Sequence, residues 1–207
     1  VSGSGVQLTL ASPVGSGQTV FVSYTAPSVD STTANSAIQD TAGNDAISRL
    51  SQSVSNSSTV DLTAPVFSSA TVNTAGTLLT LNYNETLFAT TAPTSAFTVT
   101  AGGVTQTISS LSISTSTLRL SLVSAIERGV VVTVSYAAPT PDSTNSNSAI
   151  QDAAGNDSIS LSSAAVTNSS TVDTTAPVLS SAVLGANGTT LTLTYNEALN
   201  ATTAATT

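Results

Sequence analysis

The chain lacks several residue types on which most enzymes depend. It contains no histidine, cysteine, methionine or tryptophan, and its three basic residues are all arginines: Arg49, Arg119 and Arg128. Without histidine or cysteine there is no imidazole base, thiolate nucleophile or ordinary zinc site, and without lysine there is no Schiff base or Lys–Asn isopeptide bond. We therefore predict that the protein is not an enzyme.

The charge of the chain is mostly negative. Eleven acidic residues against three basic ones give a formal net charge of −8. Proteins bind nucleic acids and anionic lipids mainly through lysine and arginine, so we expect no nucleic-acid partner and instead expect cations. No apolar run approaches the roughly 18 residues of a membrane-spanning helix, so we expect no direct membrane insertion of this segment.

The sequence repeats itself with a fixed period. Residues 1–95 recur in related form, 112 positions later, as residues 113–207. A period of this length indicates tandem copies of a whole domain. The motif Asp-x-Thr-Ala-Pro marks the boundaries at residues 61–65 and 173–177, and its proline favours a short, semi-rigid linker. We predict the C-terminal part of one repeat in residues 1–61, a complete repeat in residues 62–173 and the N-terminal part of a third in residues 174–207.

Short stretches of alternating apolar and hydroxyl residues predict β-strands. Leu79 to Tyr83 and Val132 to Tyr136 are examples, and their period of two indicates one buried and one solvated face. About seven strands in roughly 100 residues are typical of an immunoglobulin-like sandwich, although another Greek-key sandwich would also fit. We predict an all-β fold of tandem immunoglobulin-like (Greek-key) β-sandwich domains arranged end to end. The seven strands predicted for the complete repeat are 66–72, 77–84, 96–101, 104–112, 116–122, 130–137 and 158–167.

Most acidic residues recur at equivalent positions of the repeat. The loop of residues 35–45 matches its copy at ten of eleven positions, whereas residues 1–20 match theirs at only seven of twenty. The loop therefore differs less between copies than the strands around it. The recurring pairs are Asp30 and Asp142, Asp40 and Asp152, Asp45 and Asp157, Asp61 and Asp173, and Glu85 and Glu197.

Strand polarity predicts that these acidic residues meet. In an antiparallel sandwich the start of the first strand, the end of the second and the loop between the sixth and seventh share one pole. Carboxylates gathered there repel one another unless a cation is present, and oxygen ligands suit calcium. We predict Ca²⁺ at this pole. The candidate ligands are Asp61, Glu85, Asp152, Asn156 and Asp157, with Asp40, Asn44, Asp45, Asp173 and Glu197 as their counterparts in the other copies; Asp30 and Asp142 are weaker candidates.

Ordinary turn chemistry also explains part of this pattern. Asp152 can accept hydrogen bonds from its own backbone, and Gly155 can supply a positive φ angle. Glu85 could equally end a strand, and Asp142 fits a solvated loop. The sequence leaves the calcium site and the plain turn as alternatives.

Several separated segments resemble a known repeat. The runs Gln18–Tyr24, Phe97–Thr100, Ala149–Asp157 and Leu191–Leu199 are similar to the SwmB-type repeat of giant cyanobacterial cell-surface motility proteins. The Asp-x-Thr-Ala-Pro linker and the Asp-x-x-Gly-Asn loop also resemble bacterial immunoglobulin-like adhesin repeats, in which calcium commonly stiffens domain junctions. The resemblance implies an extracellular, repetitive protein of the cell surface, and it does not supply a catalytic role.

We therefore expect a structural or adhesive segment of a long bacterial extracellular surface fibre. Its partners would be neighbouring repeats, joined at junctions that calcium stiffens. One alternative is a head-to-tail filament, in which the tail of one chain, residues 174–207, completes the head, residues 1–61, of an identical chain by strand complementation. The other is a module of a surface adhesin that binds glycans or proteins, for which clustered aromatic residues would be the sign.

Overall fold

The computed structural model describes residues 3–28, 36–89, 92–141, 144 and 148–200. Over these residues the protein is all-β, and Thr94–Ala96 forms one turn of 3-10 helix. None of the described residues forms a helix long and apolar enough to cross a membrane. The described strands are β1 Val20–Tyr24, β2 Arg49–Val54, β3 Phe67–Val72, β4 Leu78–Tyr83, β5 Phe97–Ala101, β6 Val104–Gln106, β7 Ile108–Ser114, β8 Thr117–Leu122, β9 Val132–Tyr136, β10 Leu161–Asn168, β11 Leu179–Leu184 and β12 Leu191–Tyr195.

The strands of the described residues form three hydrogen-bonded sheets. β1 pairs with β2, β11 pairs with β12, and the eight remaining strands follow the order β6-β5-β9-β10-β3-β4-β8-β7. Within this sheet, β10 runs antiparallel to β9, while its last two residues, Thr167 and Asn168, pair in parallel with β3. This narrow link joins two halves of four strands each, whose inner faces form the core of a β-sandwich-like fold.

The predicted strands agree with the observed ones except at one place. Six of the seven begin and end within three residues of their predicted positions. The prediction of a single strand over residues 104–112 was wrong, because the chain leaves β6 at one end of the sheet and enters β7 at the other. The crossing occurs at Thr107, and the pairing of β7 with β8 shifts register between Ile108 and Ser110. The predicted domain boundaries stay a prediction.

The hydrophobic core lies between the two halves of the large sheet. Leu79 and Leu81 of β4 belong to the same core cluster as Val134 and Tyr136 of β9 in the opposite half, and all four are almost completely buried. The ring of Phe97 stacks on that of Tyr136 at a centroid distance of 5.1 Å. The intervening residues, such as Thr80 and Thr133, face outward, as the alternation of the sequence predicts.

The two small sheets carry apolar residues that this core does not cover. Leu191 and Leu193 of β12 are 60% and 47% exposed, whereas their counterparts Leu79 and Leu81 are completely buried. The sequence pattern of a buried strand is therefore present in β12, but the described residues supply no opposing sheet for it.

Candidate metal centre

Three carboxylates come together at one end of the large sheet. Asp61 lies in the linker before β3, Glu85 follows β4, and Asp152 lies in the loop between β9 and β10. One oxygen from each lies within 4.8 Å of the other two. These are the three chain segments that strand polarity predicts at one pole, so the fold brings together three of the acidic residues expected there.

Hydrogen bonds within the β9–β10 loop orient Asp152. Its Oδ1 accepts bonds from the backbone N–H groups of Ala154 and Asn156, and its Oδ2 accepts one of 2.8 Å from the Asn156 side-chain amide. The same amide donates to the backbone carbonyl of Asp61 at 3.2 Å. The turn chemistry expected from the sequence is therefore present, and it holds the loop against the linker.

Asp157 lies apart from the other three acidic residues. It is 6% exposed and pairs with Gln151 in an isolated β-bridge that closes the loop. Its charge contributes to raising the pKa of Tyr136, after burial, which is the larger cause. Asp157 is not among the three clustered carboxylates of the described residues.

Burial and the neighbouring carboxylates both affect the carboxyl group of Glu85. Burial raises the pKa of its carboxyl group, and the charges of Asp152 and Asp61 raise it further. Its Oε1 atom is shielded from solvent and has no hydrogen-bond partner among the described residues, and the same is true of Oε1 in Glu197, the counterpart of Glu85. A buried anionic oxygen without a donor is costly, and either a proton or a cation would relieve the cost.

The counterpart loop in the first copy has the same internal bonds in a more exposed setting. Asp40 accepts bonds from the backbone N–H groups of Ala42 and Asn44 and from the Asn44 side chain. The Asn44 side chain, followed by its backbone, lowers the pKa of the exposed Asp40 carboxyl group. Asp45 pairs with Gln39 in a β-bridge, as Asp157 does with Gln151. Asp30 and Asp142 lie outside the described residues.

The second linker carries an ion pair that the sequence analysis missed. The carboxylate of Asp173 lies 2.6 Å from the guanidinium group of Arg128, and the Thr174 hydroxyl donates to the Glu127 carboxylate. Glu197 lines the same cavity. One signal was visible in the sequence: Glu127 and Arg128 stand where the first copy has glycine and serine.

Comparison with protein families identifies the repeat. A family model described as "Putative flagellar system-associated repeat", the SWM repeat, matches residues 1–29 and 50–141, more than half of the chain. The chain belongs to the SWM repeat family. The resemblance to the SwmB-type repeat is thereby confirmed. No curated protein matches the chain significantly.

Two solved structures of an S-layer protein are similar to parts of this SWM repeat chain. The N-terminal part of the bacterial S-layer protein SbsC matches at 17% identity and a TM-score of 0.38, over 56% of this chain and 25% of that one. The S-layer protein rSbsC(31-844) matches at 19% identity and a TM-score of 0.38, over 59% and 17%. The SWM repeat chain therefore spans a quarter or less of the length of these structures.

Proposed function

We propose that this SWM repeat segment is a structural module of a long extracellular surface fibre. Membership of a repeat family supports a repetitive, load-transmitting role, and the lack of histidine, cysteine and lysine disfavours the common hydrolytic mechanisms. The predicted domains, residues 1–61, 62–173 and 174–207, would then be successive beads of the fibre. Their partners would be neighbouring repeats.

The strand order supports an immunoglobulin-like form for each bead. One half of the large sheet has the order β3-β4-β8-β7 and the other β6-β5-β9-β10. If β3 is named strand A and the letters follow chain order, these halves read A-B-E-D and C′-C-F-G, the arrangement of immunoglobulin domains.

We further propose that the fibre's junctions bind Ca²⁺ through Asp61, Glu85 and Asp152. Calcium takes hard oxygen ligands at 2.3–2.6 Å, so two ligands on opposite sides of an ion lie about 5 Å apart. The spacing of at most 4.8 Å among the three carboxylates fits this requirement. The observation that carries the proposal is the Oε1 atom of Glu85, which is buried and has no partner within the described part of the chain, beside two further carboxylates.

An ion at this position would stiffen the junction before the complete repeat. Asp61 belongs to the linker, whereas Glu85 and Asp152 belong to the repeat that follows it. A shared ion would therefore tie the linker to that repeat and reduce the range of angles between neighbouring beads. The stabilisation would depend on the free calcium concentration, because only the ordered junction presents all three ligands.

Calorimetric titration with calcium chloride tests the site directly. We expect about one ion per chain at this site, and we expect Glu85→Gln to weaken binding at least about tenfold, equivalent to about 1.4 kcal/mol. Asp40→Asn is the matched control, since Asp40 makes the same loop bonds as Asp152 but is not among the three clustered carboxylates of the described residues. Small-angle scattering should be measured with calcium and with chelator. When calcium is bound, we expect a larger maximum dimension and a narrower distribution of interatomic distances. No binding heat and an unchanged maximum dimension would refute the calcium proposal.

A specific observation also supports the second candidate, a head-to-tail filament of identical chains. The apolar face of β12, with Leu191 and Leu193 exposed, repeats a face that is buried in the complete repeat. Strands from another repeat could cover it. Sedimentation velocity should then show association that increases with concentration. Leu193→Ser should weaken this association, and Thr194→Ser, its neighbour on the opposite face of the strand, should not.

A further inference from the structure

The two linker aspartates occupy equivalent positions but have different partners. Asp173 forms an ion pair with Arg128, at 2.6 Å. In the first copy the position of Arg128 is occupied by Ser16. The cavity beside Asp61 is lined by Gly15, Ser16, Gln18 and residues 59–63, and no basic residue is among these described lining residues. The linker carboxylate of the first junction thus has no positive side chain in the place where the second has one.

The backbone frame around the two linkers is the same. The Arg128 N–H donates to the carbonyl of Val172 at 2.8 Å, and the Ser16 N–H donates to that of Val60 at 2.7 Å. In both copies an asparagine side chain also bonds two carbonyls of the same loop, Asn168 in one and Asn56 in the other. The difference between the junctions therefore lies in the loop side chains rather than in the path of the chain.

The charge of Arg128 lies where the acidic pole of the next repeat begins. Arg128, Asp173 and Glu197 line one cavity, and Oε1 of Glu197 has no hydrogen-bond partner among the described residues. The Arg128 side chain is 64% exposed and that of Asp173 is 32% exposed. Ion pairs this accessible to solvent change an equilibrium constant by at most about fivefold. The contact therefore favours the arrangement in which the linker is bound to the preceding repeat, but it does not fix the linker there.

We propose that Arg128 is a built-in counterion for the linker aspartate. It holds Asp173 against the repeat that precedes the linker, and at such a junction an arginine competes with a divalent cation for the same carboxylate. The residue at this loop position, arginine at 128 and serine at 16, therefore decides how strongly a junction depends on an ion. The competition rests on the proposed calcium site, whereas the tether formed by Arg128 and Asp173 does not.

Distance measurements between spin labels test the tether. The chain has no cysteine, so labels can be attached at chosen positions through Ser112→Cys and Ser181→Cys, which lie on either side of Asp173. In chelator, we expect Arg128→Ser to broaden the distance distribution, with a two- to fivefold loss of the narrow component. Arg128→Lys should retain part of the narrow component, because the positive charge remains but the planar guanidinium group is lost. A salt concentration of about 1 M should reproduce the effect of Arg128→Ser, because the Debye length falls to about 3 Å.

A second label pair provides the control for this measurement. Ser53→Cys and Ser112→Cys lie on either side of Asp61, and their distance distribution in chelator should not respond to Arg128→Ser. An unchanged distribution across Asp173 in the Arg128→Ser variant overturns the tether, whatever the outcome for calcium.

Calorimetry tests the competition between arginine and calcium. Ser16→Arg places the cation of the second junction at the first, and we expect it to lower calcium affinity by up to about fivefold. Ser16→Gln adds a long side chain without charge, so it should bind calcium as the unmodified chain does. Equal affinities for the two variants overturn the competition. If the unmodified chain binds no calcium, the proposed calcium site and the competition both fail, and the spin-label measurement still decides the tether.

Discussion

The acidic cluster changes the pKa of the carboxyl group of Glu85. Burial, followed by the charges of Asp152 and Asp61, raises its pKa above the ordinary value of 4.5. A raised pKa in the folded state means that the folded protein holds this proton more tightly than the unfolded chain does. The resulting stabilisation is complete below pH 4.5 and is lost as the pH rises through the raised pKa.

We therefore expect Glu85→Gln to remove a pH-dependent loss of stability. In metal-free buffer, the unfolding midpoint in urea of the unmodified chain should fall relative to that of the variant as the pH rises from 4.5. Asp40→Asn is a contrasting control. Because the pKa of Asp40 is lowered from 3.8, its contribution is present above that pH and is lost as the pH falls, so the curves of that variant and of the unmodified chain should differ near neutral pH and converge at the acid end. Parallel midpoint curves for Glu85→Gln and the unmodified chain would contradict the electrostatic account.

The phenol of Tyr136 fixes the position of the loop that carries Asp152. Its oxygen accepts a 2.9 Å hydrogen bond from the backbone N–H of Ile150, a completely buried residue. Tyr136→Phe would leave this N–H without its partner, and we expect a loss of about 1–3 kcal/mol in the free energy of unfolding, measured with urea. The matched control is Tyr24→Phe. Tyr24 makes the equivalent bond to the more exposed Ile38, where water can replace the phenol, so its loss should be smaller.

At the scale of single elements, the turn between β3 and β4 offers a direct test of packing. Gly76 has a φ of +71°, and a Cβ added there would lie 2.4 Å from the carbonyl oxygen of Ile126. Its counterpart Gly188 has a φ of +69° with nothing within 4 Å of such a Cβ. Both alanine substitutions should cost about 1 kcal/mol for the left-handed backbone.

Only Gly76→Ala should lose further free energy of unfolding because of the steric clash. We expect a further loss of about 1–3 kcal/mol, because the atom in the way belongs to the backbone and cannot rotate aside. Thermal or urea unfolding of Gly76→Ala and Gly188→Ala, measured in parallel, gives the difference. Equal losses in the free energy of unfolding would mean that the loop containing Ile126 moves aside without destabilising the protein.

The strand positions could be predicted because burial on one face imposes a period of two on each strand. Leu79, Leu81 and Tyr83 show this alternation, and all three are buried. The crossing at Thr107 could not be predicted in the same way, because the alternation continues from β6 into Ile108. One cue was the spacing of three between Ile108 and the next inward residue, Leu111, which coincides with the register shift in β7.

The candidate site could be predicted in part for a similar reason. The convergence of Asp61, Glu85 and Asp152 follows from strand direction, which the order of the strands determines. The placement of Asp157 depends on the geometry inside the loop, where it pairs with Gln151 in a β-bridge. The ion pair of Arg128 with Asp173 requires the path of the β8–β9 loop, which no local pattern in the sequence specifies.

At the scale of the whole molecule, charge and hydroxyl groups are separated. The outward residues of the central strands are mainly threonine and serine, as in the pairs Thr98 with Ser135 and Thr100 with Thr133. The clustered carboxylates lie at the end of the sandwich instead. If repeats meet end to end as proposed, the clustered carboxylates Asp61, Glu85 and Asp152 would repel other acidic groups there at low salt, and divalent cations would relieve that repulsion.

Hydrogen exchange on the intact chain should reveal how stability is distributed among its three sheets. The buried core lies within β3 to β10, whereas β1–β2 and β11–β12 are two-stranded and place apolar residues such as Leu191 in solvent. Two-stranded sheets without a core are marginally stable, so their amides should exchange through local opening, while those of β4, β8 and β9 exchange only on global unfolding.

Calcium should extend protection from exchange to the amides around Asp61, and Glu85→Gln should abolish that extension. Uniform protection of all three sheets at low protein concentration would mean that contacts outside the large sheet stabilise the small ones, and the bead boundaries at residues 61 and 173 would then be wrong.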